Sequence, residues 1–182
     1  MLLGVTKWLE STALHQFLVD HYGTLLPAIQ AVHILGVGVV MACLLLVVLR
    51  ILGRAGLDLG LTETVRRYRP WLWGGLALLL LTGILMILTE PGREFLDPSQ
   101  ASSPEKEYWN GPFWIKMGLL LIGIVIAAVF QISVQRQQEH WEKSLAMQRR
   151  TRVFAVMTLG GWLVIIIMGR LIAYPGVLYG AS

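Results

Sequence analysis

The sequence has few charged residues. Only 14% of its 182 residues are Asp, Glu, Lys or Arg, whereas 55% are hydrophobic. A typical soluble domain has about 25% charged residues. This balance excludes intrinsic disorder, which requires low hydrophobicity and high charge, and it excludes an ordinary soluble enzyme. Because soluble domains have about 150 residues on average, we expect residues 1–182 to form a single domain.

Cysteine and catalytic motifs are also scarce. Cys43 is the only cysteine, so the chain has neither an intrachain disulfide nor a cysteine cluster for zinc or an iron–sulfur group. The sequence contains no Ser–His–Asp order, no glycine-rich phosphate loop and no zinc-ligand spacing. These absences favour a role other than catalysis.

The hydrophobic residues that are present fall into four long blocks. The blocks cover about residues 25–49, 71–88, 113–134 and 153–172. Each has the roughly 20 apolar residues that a helix needs to cross a hydrocarbon core about 30 Å thick. The sequence therefore predicts an all-α membrane protein, a bundle of four transmembrane helices embedded in a lipid bilayer.

A shorter segment before the first block has a different pattern. Between about residues 5 and 22, Trp8 and Phe17 alternate with polar groups such as Lys7 and Asp20. Apolar and polar residues at this spacing predict an amphipathic helix that lies on the membrane surface rather than crossing it.

The basic residues lie mainly in two connecting segments. Residues 50–70 and 135–152 contain ten of the 15 Lys and Arg residues. Basic loops are retained in the cytoplasm, so the net charge of +4 indicates topology rather than nucleic-acid binding. Both termini are then expected outside, which in a bacterium means a protein of the inner membrane with periplasmic N- and C-termini.

Four ionisable residues are expected at matched depths near the outer ends of the spans: His33, Lys116, Arg170 and Glu90. His33 lies six residues beyond Pro27, roughly 9 Å along a helix. Charged and ionisable groups are costly inside a membrane, so they are the first candidates for function. The shared depth predicts one polar cluster, although Lys116 and Arg170 can also extend to the lipid headgroups.

His33 has three possible roles. It can donate a hydrogen bond to a neighbouring helix, act as an axial ligand of haem b, or form a proton or metal-ion site. Gln30, one turn away, is a candidate acceptor for its second ring nitrogen, and a neighbouring helix is the alternative source of that acceptor. A second haem ligand would come from Met117 or Met168, or from His15 or His21 in the outer segment. Both methionines are also ordinary packing residues.

Lys116 and Arg170 have a possible role at the same site. Their cationic groups can pair with haem propionates or with Glu90. At the inner end of the third span, Gln131 and Ser133 are predicted to form hydrogen bonds between helices.

Four short stretches carry a resemblance to a known family. They are Val32–Gly36, Leu49–Gly53, Phe113–Met117 and Gly169–Tyr174. Together they resemble an uncharacterised family of bacterial four-span inner-membrane proteins. The third span of that family tends to end in Phe-His, whereas this chain has Phe130 followed by Gln131. A more remote likeness connects the chain with helical haem-b domains and copper-resistance membrane domains.

Three functions from different classes follow as expectations. The first is a structural or accessory subunit that packs in a larger membrane assembly, with a protein partner or a second copy of the chain. The second is a haem-b electron-transfer protein with His33 as ligand. The third is a transporter for a metal ion or small solute.

Overall fold

The structure, a computed structural model, describes residues 2–56, 58–89, 91, 111–136 and 145–173, and these are helical apart from short connections. The six helices are α1 Leu2–Glu10, α2 Ala13–Asp20, α3 Tyr22–Ile51, α4 Leu61–Thr89, α5 Gly111–Arg136 and α6 Leu145–Ala173. Helices α3 to α6 each contain a stretch long and apolar enough to cross a membrane. This confirms the prediction of an all-helical chain with four helices capable of spanning a bilayer.

Two of the long helices extend well beyond the apolar blocks. Helix α3 begins at Tyr22, so Pro27 lies inside it, and α4 begins at Leu61, so Pro70 lies inside it. Proline removes one backbone donor but does not stop a helix whose flanking residues are held by packing. The basic stretch Arg66–Arg69 is therefore helical.

The connection between α3 and α4 is short and tightly held. Gly53 and Gly56 have positive φ angles of 72° and 62°, which a residue without Cβ adopts without strain. Arg50 Nε donates a hydrogen bond of 2.6 Å to the carbonyl of Leu59. These features return the chain directly into α4, so α3 and α4 form an antiparallel hairpin.

The N-terminal segment contains two short helices in place of the one predicted. Helix α1 ends at Glu10 and α2 begins at Ala13. Thr12 separates them because its hydroxyl accepts a hydrogen bond of 3.3 Å from the backbone N–H of His15, which caps the start of α2. Helix α2 then contacts α3 and α4.

The four long helices form a closed bundle. Helix α3 packs on α4, α5 packs on α6, and contacts of α3 with α6 and of α4 with α5 complete the ring. The buried core contains Val40, Cys43, Leu44, Leu72, Leu76, Ala127, Trp162 and Ile165. Every long helix contributes to this core, as expected for a four-helix bundle.

Two glycines allow α3 and α4 to approach closely. A Cβ atom at Gly75 would lie 2.9 Å from Val40 Cγ2, and one at Gly36 would lie 3.1 Å from Leu79 Cδ2. These spacings leave no room for a larger residue without movement of a neighbour. Small residues at helix contacts are typical of membrane bundles.

Many apolar side chains of the long helices are exposed on the outside of the bundle. Within the four apolar stretches, only 17% to 28% of the residues are buried inside the chain. Leu35, Leu121 and Met157 are 68%, 64% and 69% exposed. Soluble monomers rarely present such extensive apolar surfaces to water. The surface composition therefore agrees with a multi-pass membrane protein.

The bundle has two ends, the His33 end and the arginine end. The His33 end holds Tyr22, Thr89, Gly111 and Ala173, and the arginine end holds Ile51, Leu61, Arg136 and Leu145.

Candidate functional site

His33 forms a hydrogen bond between two helices near the His33 end. Its Nδ1 atom lies 2.7 Å from Oγ1 of Thr82, which joins the middle of α3 to α4. His33 is half-buried, and Thr82 is only 4% exposed. The ring lies beside Gly83, where a Cβ atom would be in ordinary van der Waals contact with His33 Cε1, at 3.8 Å. This is the structural role that the sequence allowed for His33.

The hydrogen bonds of Thr82 indicate which ring nitrogen of His33 carries the proton. The Thr82 hydroxyl lies 2.7 Å from the carbonyl of Leu78, and a carbonyl can only accept. The single hydroxyl proton is therefore directed to Leu78, so the contact with His33 requires an N–H on Nδ1. In the neutral imidazole, Nε2 then keeps a lone pair that can bind a metal ion or accept a proton.

Lys116 of α5 lies at the same level of the bundle. Its charge is close enough to act on the His33 imidazole. The lysine side chain also crosses Gly169 of α6, where a Cβ atom would be 3.5 Å from the ammonium Nζ. His33, Thr82, Lys116 and Gly169 thus bring all four long helices together at one depth.

The other predicted members of the cluster that the structure describes differ in exposure. Arg170 is exposed, whereas Met117 and Met168 are half-buried. Glu90 lies outside the described residues. Gln30 is exposed, and the bonded partner of His33 is Thr82 on the neighbouring helix.

His15 forms a comparable hydrogen bond with the end of α4. Its Nδ1 lies 2.7 Å from the carbonyl of Leu88, which is in the last helical turn. The last four carbonyls of a helix have no partner within it, so this bond satisfies one of them. Because a carbonyl only accepts, Nδ1 of His15 is protonated and its Nε2 also keeps a lone pair in the neutral form.

A second polar bond joins helices nearer the arginine end. The Nε1–H of Trp73 in α4 donates a hydrogen bond of 2.9 Å to Oε1 of Gln131 in α5. Gln131 is 7% exposed. This confirms the predicted helix–helix hydrogen bond of Gln131, with a tryptophan as its donor.

The sequence did not identify Thr82 or Trp73 as partners. Thr82 directly follows the apolar run Leu78–Leu81. A hydroxyl group in the middle of a membrane span was the one sign in the sequence that this residue has a polar neighbour. Trp73 lies near the beginning of an apolar block, where membrane-interface tryptophans also occur. Only the packing of the helices shows which acceptor each donor reaches.

The cluster at His33 supplies a limited set of chemical groups. Among the residues that the structure describes, no three His, Cys, Asp or Glu side chains lie together as a metal-binding group. Its described members include the imidazole of His33 and the ammonium group of Lys116. No family model, characterised protein or solved structure matches the chain in the comparisons made. Its function therefore has to be inferred from its own residues.

Proposed function

We propose that the chain is a structural or accessory subunit of a larger membrane assembly, without enzymatic activity. The observation that carries this proposal is the use of intramembrane polar groups as links between helices. His33 bonds Thr82, and Trp73 bonds Gln131. Such bonds stabilise one arrangement of a membrane bundle. The protein thereby presents a defined apolar surface for a partner or a second copy.

The proposed partner can be tested by photo-crosslinking in native membranes. A photoreactive residue is placed at one exposed position on each long helix: Leu35, Leu80, Leu121 and Met157. Their side chains are 68%, 59%, 64% and 69% exposed. The same residue at Val40, which is 1% exposed, is the control. A protein adduct from one helix face supports the proposal, whereas lipid adducts alone from all four positions contradict it.

We also propose that the arginine end lies in the cytoplasm and that both termini lie outside the inner membrane. Basic segments remain inside during insertion. On α1 and α2, Trp8 and Phe17 are 66% and 53% exposed, which supports contact of these helices with the outer membrane surface.

This topology can be tested with reporter fusions. Fusions after Gly60 and Ser144 are expected to be active only with a cytoplasmic reporter. Fusions after Ser102 and Ser182 are expected to be active only with a periplasmic one. An outside signal at Gly60 would reverse the orientation.

A second candidate function is the binding of haem b through His33. The Nδ1–H of His33 donates to Thr82, and a hydrogen bond of this kind fixes the orientation of an imidazole whose Nε2 binds a metal. Lys116 at the same depth fits the negative charge of a propionate. His15, whose Nδ1 bonds the Leu88 carbonyl and leaves Nε2 for a metal, is a candidate for the second ligand. Haem would supply one-electron transfer when bound.

The haem proposal is tested by visible absorption spectra of the protein made with ample haem. Wild type is expected to show a haem spectrum that His33→Ala abolishes. His140→Ala is the control, because His140 belongs to the basic segment 135–152 and is not a candidate haem ligand. A colourless, folded wild type would leave His33 with its hydrogen-bonding role.

A further inference from the structure

A small cavity lies between the four long helices at the arginine end. Its volume is about 60 Å³, its wall is almost entirely apolar, and it is partly open to the surface. Each long helix contributes to the wall, for example through Cys43, Leu72, Phe130 and Ala155. It is separate from the His33 cluster, which lies at the opposite end.

The chemistry of the wall selects an apolar occupant. Apolar cavities remain dry because water has too few polar partners in them. Atoms that line an empty space lose dispersion contacts, so an apolar group that enters restores them. In a bilayer, the apolar groups present at high concentration beside such an opening are lipid acyl chains.

The rim of the cavity adds a preference for negative charge. Arg69 lines the cavity and is exposed. Arg66, on the same helical turn, forms an ion pair of 2.8 Å with Glu63. Arg69 has no such carboxylate partner among the described residues. An arginine binds phosphate through several donors, and basic pockets between transmembrane helices bind anionic headgroups.

We propose that this cavity takes up a few methylene groups of one acyl chain of an anionic phospholipid, next to a headgroup whose phosphate contacts Arg69. The lipid belongs to the leaflet at the arginine end. This site does not depend on the function proposed for the His33 cluster. It would make the packing of all four helices sensitive to the lipid composition of the membrane.

The first test locates the lipid in the unmodified protein. Wild type in detergent is incubated with phosphatidylglycerol that carries a photoreactive group on one acyl chain, close to its ester carbonyl. After irradiation, the labelled positions are mapped by mass spectrometry. Labels are expected on cavity residues such as Cys43, Phe130 and Ala155. Labels confined to outward-facing residues such as Leu80 and Leu121 would overturn the proposal.

The second test separates the cavity from the charge by native mass spectrometry with added phosphatidylglycerol or phosphatidylcholine. Ala155→Leu fills the cavity and is expected to reduce retention of both lipids. Ala77→Leu, at an exposed position of α4 outside the cavity, is its control. Unchanged retention in Ala155→Leu would contradict an acyl-chain site.

Arg69→Gln is expected to weaken phosphatidylglycerol retention about fivefold. One arginine near an anionic headgroup contributes about 1 kcal/mol of binding free energy, which corresponds to this factor. Phosphatidylcholine retention should be unchanged. Arg54→Gln removes a charge from an exposed arginine that does not line the cavity, and it should retain the wild-type preference. Equal effects of the two arginine substitutions would indicate general surface attraction and overturn the headgroup assignment.

Discussion

The imidazole of His33 and the hydroxyl of Thr82 lie 2.7 Å apart across the α3–α4 interface, and Thr82 is also bonded to the carbonyl of Leu78. The two bonds form a chain from the His33 ring through Thr82 to the α4 backbone. Because the threonine proton is directed to the carbonyl, His33 has to be the donor. One side chain on α4 thus sets both the position and the protonated nitrogen of the histidine.

Removing the acceptor of His33 should destabilise the α3–α4 hairpin. Thr82→Val is expected to lower the free energy of unfolding by about 1 kcal/mol, within the range for interhelical hydrogen bonds in membranes. The measurement is SDS-induced unfolding in mixed micelles. Thr158→Val is the control, since the Thr158 hydroxyl bonds only the Phe154 carbonyl of its own helix. A double-mutant cycle with His33→Ala should give a coupling energy of similar size, and zero coupling would contradict the bond.

The Trp73–Gln131 bond gives a prediction about α4 and α5. Trp73→Phe removes the N–H donor and leaves the buried Gln131 oxygen without it, which should cost about 1–3 kcal/mol of unfolding free energy. Gln131→Leu in the same protein should restore part of this loss, because both polar partners are then absent. Trp71→Phe, at a position 65% exposed, should have little effect in the same unfolding assay. Equal effects of the two tryptophan substitutions would argue against the bond.

Substitution by alanine should change the stability of the protein differently at two neighbouring glycines of α4. Gly75→Ala places a Cβ 2.9 Å from Val40 Cγ2, and Val40 is 1% exposed and cannot move away easily. Overpacking of this kind costs about 1–3 kcal/mol. Gly74→Ala meets nothing within 4 Å and should be neutral or stabilising, because alanine favours helix by about 1 kcal/mol. The two variants are compared by thermal unfolding in detergent. A stability difference of the opposite sign would place the α3–α4 contact elsewhere.

The bond between His15 and Leu88 predicts how the N-terminal segment is held. His15→Ala removes the side chain that joins α2 to the end of α4, so amide hydrogen exchange in α2 should become faster. Gln16→Ala, at an exposed position of α2, should leave exchange nearly unchanged. Hydrogen exchange followed by mass spectrometry resolves the two helices. Equal exchange in wild type and His15→Ala would show that the apolar contacts of α2 suffice to hold it.

The sequence by itself determined the class of fold, because bilayer thickness limits how long and how apolar a spanning helix must be. Four such blocks are visible without any knowledge of packing. Their helical ends were harder to place, as α4 shows. Its first nine residues, Leu61–Arg69, include a charged turn, and hydropathy does not report helix where the chain leaves the apolar region. The sequence also does not show whether Pro70 begins a helix or lies inside one, because proline occurs at both kinds of position in membrane helices.

The tertiary structure alone decided which polar groups meet. His33 and Lys116 are 83 positions apart in the chain, and His33 and Thr82 are 49 positions apart. Local spacing identifies neighbours on one helix, so it suggested Gln30 as the partner of His33. The actual partner depends on the rotation of α3 against α4, which is set by the close contacts at Gly36 and Gly75. Rotation of a helix changes no residue's hydropathy, which is why only the packed bundle specifies the hydrogen bonds of its polar side chains.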